Sequence, residues 1–170
     1  FVSDLTLPID QIVSKKHRDI AKKALKKVQV ELCQEPSFFS SEWVELYTYL
    51  TNKRNITGIR AFSPKALSMQ LKVPGMVMFR ATSQGVTVGI NLEYLQGDVL
   101  YAHLSAFNQL GYETGASYAL KWSTIQYFAD KVRWIGLGAG AGLDQENKED
   151  GLAKFKKGWS TGTKTVYLCG

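Results

Sequence analysis

The sequence predicts an α/β (α+β) fold in which helices flank one mixed β-sheet. Three observations lead there. Segments whose apolar residues recur at helical spacing alternate with segments in which apolar and polar residues alternate one by one. Residues 76–107 hold three strand-like runs joined by short turns containing Gly85 and Gly97, which reads as an antiparallel meander. The 170 residues, 45% hydrophobic and 21% charged, suit a single domain with one sizeable core.

The elements follow in order. Residues 1–13 (FVSDLTLPIDQIV) read as an irregular lead-in broken by Pro8. Ser14 is placed to cap a helix whose narrow apolar stripe is Ile20, Ala21, Ala24, Leu25 and Val28. Residues 28–33 (VQVELC) alternate like a short strand that Pro36 ends. A second helix fits residues 40–53, with Trp43, Leu46, Tyr47 and Leu50 on one side. A third opens at Ser63-Pro64 and runs to about Lys72, because proline is favourable at the first helical position. The strands of the meander fit residues 76–82, 86–95 and 99–107. A helix is expected over residues 114–131, then a buried strand at 134–138, a Gly-rich and acidic loop, a short helix at 152–157 and a last strand at 164–169. Repeats and low-complexity tracts are absent.

The net charge of +6 is local. Lys15, Lys16, Arg18, Lys22, Lys23, Lys26 and Lys27 stand against Asp19 alone, and the rest of the chain is balanced. Such a run most often marks a solvated helix face, and it also suits a polyanion such as tRNA. No apolar run is long enough to span a bilayer. Cys33 and Cys169 are unclustered, which points to a reduced, cytoplasmic protein. With His17 and His103 they show no metal-ligand spacing, so no metal is expected. The chain opens with Phe1 rather than Met, and a longer parent is expected.

Gly136, Gly138, Gly140 and Ala141 match a dinucleotide-binding pattern after a strand. That reading needs a helix next, whereas residues 143–151 are polar and acidic and too little chain remains for a second nucleotide-binding half. The segment 108–116 (NQLGYETGA) is more suggestive. It joins a strand to a helix start, where free amides and the helix dipole favour an anion. His103 and Ser105 are expected to share a strand face opposite Ala102 and Leu104. A lone strand histidine is more often structural than catalytic.

Tyr118-Ala-Leu-Lys-Trp122-Ser-Thr-Ile125, Arg133-Trp-Ile-Gly-Leu-Gly138 and Gly151-Leu152-Ala-Lys-Phe155-Lys156-Lys-Gly158-Trp159 together resemble the Fem-like branch of the GNAT N-acyltransferase superfamily, as does His17-Arg18-Asp-Ile20-Ala-Lys-Lys-Ala24. The resemblance implies a twisted sheet with its middle strands splayed and an acyl donor in the gap: acyl-CoA, with acetyl-CoA the default, or aminoacyl-tRNA. It implies donor contacts at Ser105, Ala106, Phe107, Gly111, Gly115, Ala116 and Ser117. The spacing of Gln109, Gly111 and Gly115-Ala116 departs from the usual pyrophosphate-loop pattern. The acceptor it implies is an amine on a small molecule or peptide. The chemistry needs a base, for which His103, Glu113 and Asp144 are candidates, and an acid for the leaving group, for which Tyr167 and Tyr112 are candidates. The alternative is a non-catalytic module that binds nucleic acid or another polyanion on residues 15–27.

Overall fold

The computed structural model describes residues 1–139 and 151–165. Its strands are β1 (Val2–Asp4), β2 (Gln29–Cys33), β3 (Met76–Ser83), β4 (Val86–Gln96), β5 (Val99–Phe107) and β6 (Trp134–Gly136). They form one six-stranded sheet in the order β1-β6-β5-β4-β3-β2. The β5–β6 pair is parallel and every other pair is antiparallel. The helices are α1 (Ile9–Ile12), α2 (Lys15–Ala24), α3 (Ser40–Arg54), α4 (Pro64–Gln70), α5 (Gln109–Thr114), α6 (Ala116–Phe128) and α7 (Gly151–Lys157).

The mixed α/β architecture and the meander are as expected. Gly85 and Gly97 supply positive φ at the two hairpin turns, where a side chain would be strained. Ser14 caps α2 by accepting from the His17 N–H, and Ser63 caps α4, which opens on Pro64.

Two local readings are corrected. The lead-in is not irregular: Val2, Ser3 and Asp4 pair with Gly136, Ile135 and Trp134, and α1 follows Pro8. A three-residue strand holds too few alternations to show a period. The helix expected over 114–131 is α6, and α5 precedes it: the two meet at Gly115, whose φ of 74° is left-handed. Asn108 caps the first of them through Gly111 N–H, so the segment read as a loop is mostly α5. The strand expected at 164–169 lies mainly outside the described residues; just before it, Gly162 forms a bridge with Val2.

The sheet separates two cores. On one face α2 and α6 pack Ala21, Ala24, Ala116, Ala119, Leu120 and Ile125 against Phe79, Val88, Leu100 and Ile135. On the other, Trp43, Leu46, Tyr47 and Leu67 cover Met78, Ile90, Leu92 and Ala106. Both are close-packed apolar layers, the term that drives the fold. Among the described residues no helix is long and apolar enough to cross a membrane.

Candidate active site

The site arises where β5 and β6 part. They pair only through Val99, Leu100 and Tyr101, opposite Trp134, Ile135 and Gly136. Beyond Gly136 the chain stays with the first strand's side, since Leu137 N–H donates to the Phe1 carbonyl at 2.9 Å. β5 runs on to Phe107 without it. From Ala102 to Phe107, its β6-facing edge therefore has no strand partner among the described residues. Backbone N–H and C=O groups need partners, so such an edge is ready to accept an extended ligand.

A bulge sits at the mouth of this gap. Glu93 pairs with Ala102 and Leu92 with Leu104, which leaves His103 as the inserted residue. Leu100 accordingly belongs to the α2–α6 core, while Leu104 and Ala106 face the other core. Ala102 and Leu104 thus lie on opposite faces, and the expected face-sharing of His103 with Ser105 against both is corrected: one extra residue reverses the alternation. The exposed His103 ring lies 4.9 Å from the Tyr94 ring, and partial burial lowers its pKa below the ordinary 6.5.

At the far end of β5, Phe107 packs against Gly89, where a Cβ would stand 2.4 Å from Phe107 Cδ1. Gly111 cannot offer its amide to a ligand. That N–H is bound to Asn108 Oδ1 at 2.9 Å, and a Cβ there would meet the Val88 carbonyl oxygen at 2.1 Å. Gly115 and the buried Ala116 head α6 without a side-chain cap, with Ser117 beside them half-buried. First-turn amides such as those of Ala116 and Ser117 lack an intrahelical partner, and the helix dipole makes such a helix start favourable to negative charge. Ala24 of the basic helix abuts this point, its Cβ 3.5 Å from where a Gly115 Cβ would be. Lys22, Lys23, Lys26 and Lys27 nearby are exposed.

The other proposed residues are dispersed. Glu113 is exposed and accepts from Gln109 Nε2 at 2.8 Å, and Gln109 Oε1 in turn accepts from Lys53. The exposed Tyr112 lies beneath the Lys53 ammonium at 4.3 Å and beside Phe107. His103 instead neighbours Tyr94, so the structure does not join it to Glu113. Asp144 and Tyr167 lie outside the described residues. Among the described residues no group of His, Cys, Asp and Glu could hold a metal ion. Cys33 is free and buried, its thiol pushed up to about 12 by desolvation.

Sequence reasoning missed three features. His17, Tyr118, Phe155 and Trp159 come from three separate motifs and meet in one cage, with the His17 ring 5.1, 5.9 and 5.2 Å from the others. Lys156 Nζ donates to the Ala139 carbonyl at 2.5 Å, which puts an ammonium on the segment that leaves β6. Lys121 pairs with Glu93 at 2.5 Å, both buried. A lysine inside the apolar run Tyr118–Ile125 was the available signal for the last. Two open cavities, of about 350 and 410 Å³, lie around Arg80 on the β2–β3 side, where Glu31 and Glu42 balance its charge.

Comparison with known proteins settles the architecture. No family model matches the sequence, and neither does any curated protein. Solved structures do match. FemX superposes with a TM-score of 0.72 at 11% identity, over 93% of this chain and 57% of FemX. The fold is the GNAT fold. An aminoglycoside acetyltransferase from an uncultured soil metagenomic sample, in complex with sisomicin, matches with a TM-score of 0.61 at 13% identity, over 85% of this chain and 95% of that one. L-PGS from Bacillus licheniformis gives 0.69 at 14% identity, over 93% and 55%. The chain therefore spans just over half the length of FemX and of L-PGS.

Proposed function

We propose that the protein is an N-acyltransferase that moves an acyl group from an activated donor to an amine. The observation that carries this reading is the gap between β5 and β6, whose unpaired edge runs from the bulge at His103 to the uncapped start of α6. An acyl-CoA fits the gap by chemistry. Its pantetheine arm is an extended chain with amide groups for a free strand edge, and its pyrophosphate suits the Ala116 and Ser117 amides. Backbone N–H groups in the stretch from Ser105 to Phe107 would polarise the thioester carbonyl. His103 is the base of choice because it is exposed beside the gap and its lowered pKa leaves it neutral at neutral pH. Glu113 and Asp144 are the alternative bases, and Tyr112 and Tyr167 the candidate acids. The likeness to acetyltransferases supports this reading, with acetyl-CoA as the first donor to test.

Thermal shift with acetyl-CoA, CoA and an unrelated nucleotide tests the donor. Stabilisation that rises with acetyl-CoA concentration is expected. Thiol release in the presence of amines tests the transfer. If neither occurs, the reading fails.

One observation favours a second reading, a polyanion-binding surface. The lysines of α2 and the turn after it are exposed, and none forms an ion pair among the described residues. Salt-sensitive RNA binding, lost when Lys22, Lys23, Lys26 and Lys27 become Gln, would support it. An aminoacyl-tRNA donor would unite the two readings.

A further inference from the structure

We propose that Tyr94 and Tyr101 form, with His103, the subsite that receives the acceptor as a cationic amine. This rests on the acyl-transfer reading, which leaves open where the acceptor sits.

Tyr94 and Tyr101 face each other directly across β4 and β5, so their side chains stand on the same face of the sheet. Tyr101 is the last β5 residue paired with β6, at the point where the gap opens. Its partner is Gly136, and a Cβ there would stand 3.2 Å from Tyr101 Cδ1. The missing side chain lets the Tyr101 ring lie close over β6. The inserted residue His103 leans on Tyr94 at 4.9 Å. Three π-systems thus gather at the mouth of the gap, and two of them are open: Tyr101 is 46% exposed and His103 is exposed, while Tyr94 is half-buried.

Elsewhere in the described residues, several rings carry their own cation. Lys53 lies over Tyr49 and Tyr112, Lys131 over Tyr127, and Arg133 and Lys164 over Trp134. Among the described residues no such cation lies over Tyr94 or Tyr101. The Tyr94 phenol stays neutral at neutral pH, its pKa raised by burial. Neutral aromatic faces attract an ammonium without holding its proton. That is what an acceptor site needs, because most primary amines arrive protonated and must lose a proton before attack.

The step balances. The ammonium passes one proton to the neutral His103 imidazole. The freed lone pair forms the N–C bond at the thioester carbonyl, and the C–S bond breaks. The thiolate takes the second proton that the new amide nitrogen sheds.

The test needs no donor, so it reads independently of the acyl-transfer reading. The full chain has two histidines, and His17→Gln assigns the His103 imidazole resonance. At neutral pH, propylammonium and tetramethylammonium should each shift that resonance saturably, while propanol, of similar shape but uncharged, should not. Tyr101→Leu should weaken the ammonium response about three- to tenfold, and Tyr101→Phe should restore it. Equal responses to propanol would reassign the platform to a neutral ring or chain and overturn the proposal. So would an unchanged response in Tyr101→Leu, or no saturable response in a wild-type protein shown by its spectrum to be folded. If acetyl-CoA fails to bind while the ammonium response holds, the subsite stands and only the acyl-transfer reading fails.

Discussion

Gly158 lies directly beneath the His17 imidazole: a Cβ there would stand 2.1 Å from Cε1 and 2.4 Å from both ring nitrogens. The two residues are also tied through Ser14, whose Oγ bonds His17 Nδ1 at 2.9 Å and whose N–H donates to the Gly158 carbonyl at 2.9 Å. No residue of α7 is fully buried, and the helix is held by Phe155, which packs on His17 and Tyr118, by this contact and by the fully buried Trp159 that follows it. Gly158→Ala should therefore destabilise by about 1–3 kcal/mol, the usual range for overpacking. Urea denaturation measures it. In a His17→Ala background the obstruction is gone, and the same substitution should cost much less. Equal costs in the two backgrounds would show that the contact carries no energy.

The same cage makes stability depend on pH. Burial lowers the His17 pKa below 6.5, Lys16 adds to the effect, and the Phe155 carbonyl opposes it. The unfolded chain takes up a proton near pH 6.5 that the folded chain still declines. Unfolding free energy is then full above pH 6.5, falls as pH drops below it, and levels off below the folded pKa. His103 acts in the same sense. Unfolding midpoints measured across this window should fall with pH, and His17→Gln should flatten part of the slope. An identical slope in the variant would assign the effect elsewhere.

Glu93 and Lys121 form an ion pair inside the fold, both side chains buried. Glu93 is 1% exposed, and its Oε2 has no hydrogen-bond partner. Removing one member strands a buried charge, so Lys121→Met should cost about 3–5 kcal/mol. Replacing both, as Glu93→Gln with Lys121→Met, should recover much of that loss. Chemical denaturation of the three variants checks the order. Because Glu93 pairs with Ala102 at the bulge, the single variant should also broaden the His103 resonance.

How much of this was legible follows from how local each feature is. The meander shows in the sequence because Gly85 and Gly97 mark turns between adjacent runs. Ser14 and Ser63 show because a cap acts within three residues. β1 does not show, since its partner lies some 130 residues on in β6. The bulge is silent as well. Residues 99–107 still alternate on paper, and only the packing of Leu100 and Leu104 into different cores reveals the inserted residue. Gly115 was noticed as a loop glycine, but its left-handed turn between two helices depends on how α5 packs its Gly111 onto Val88. The His17 cage unites three motifs only after α2, α6 and α7 are assembled.

His103 carries the sharpest prediction for acyl transfer. If it is the base, His103→Gln should lower kcat about a hundredfold or more while leaving acetyl-CoA affinity unchanged, because the donor contacts lie further along β5 and at α6. The pH profile should identify it independently. The working form is the neutral imidazole, so the rate should rise with pH as the proton leaves. Its pKa is lowered by burial, so the midpoint of the rise should lie below pH 6.5. In His103→Gln that limb should vanish, and added imidazole should restore part of the rate. If the variant keeps its rate and its acidic limb, the proton goes elsewhere, and Glu113→Gln becomes the variant to measure: the Gln109 bond to its carboxylate would then have to open before the amine could reach it.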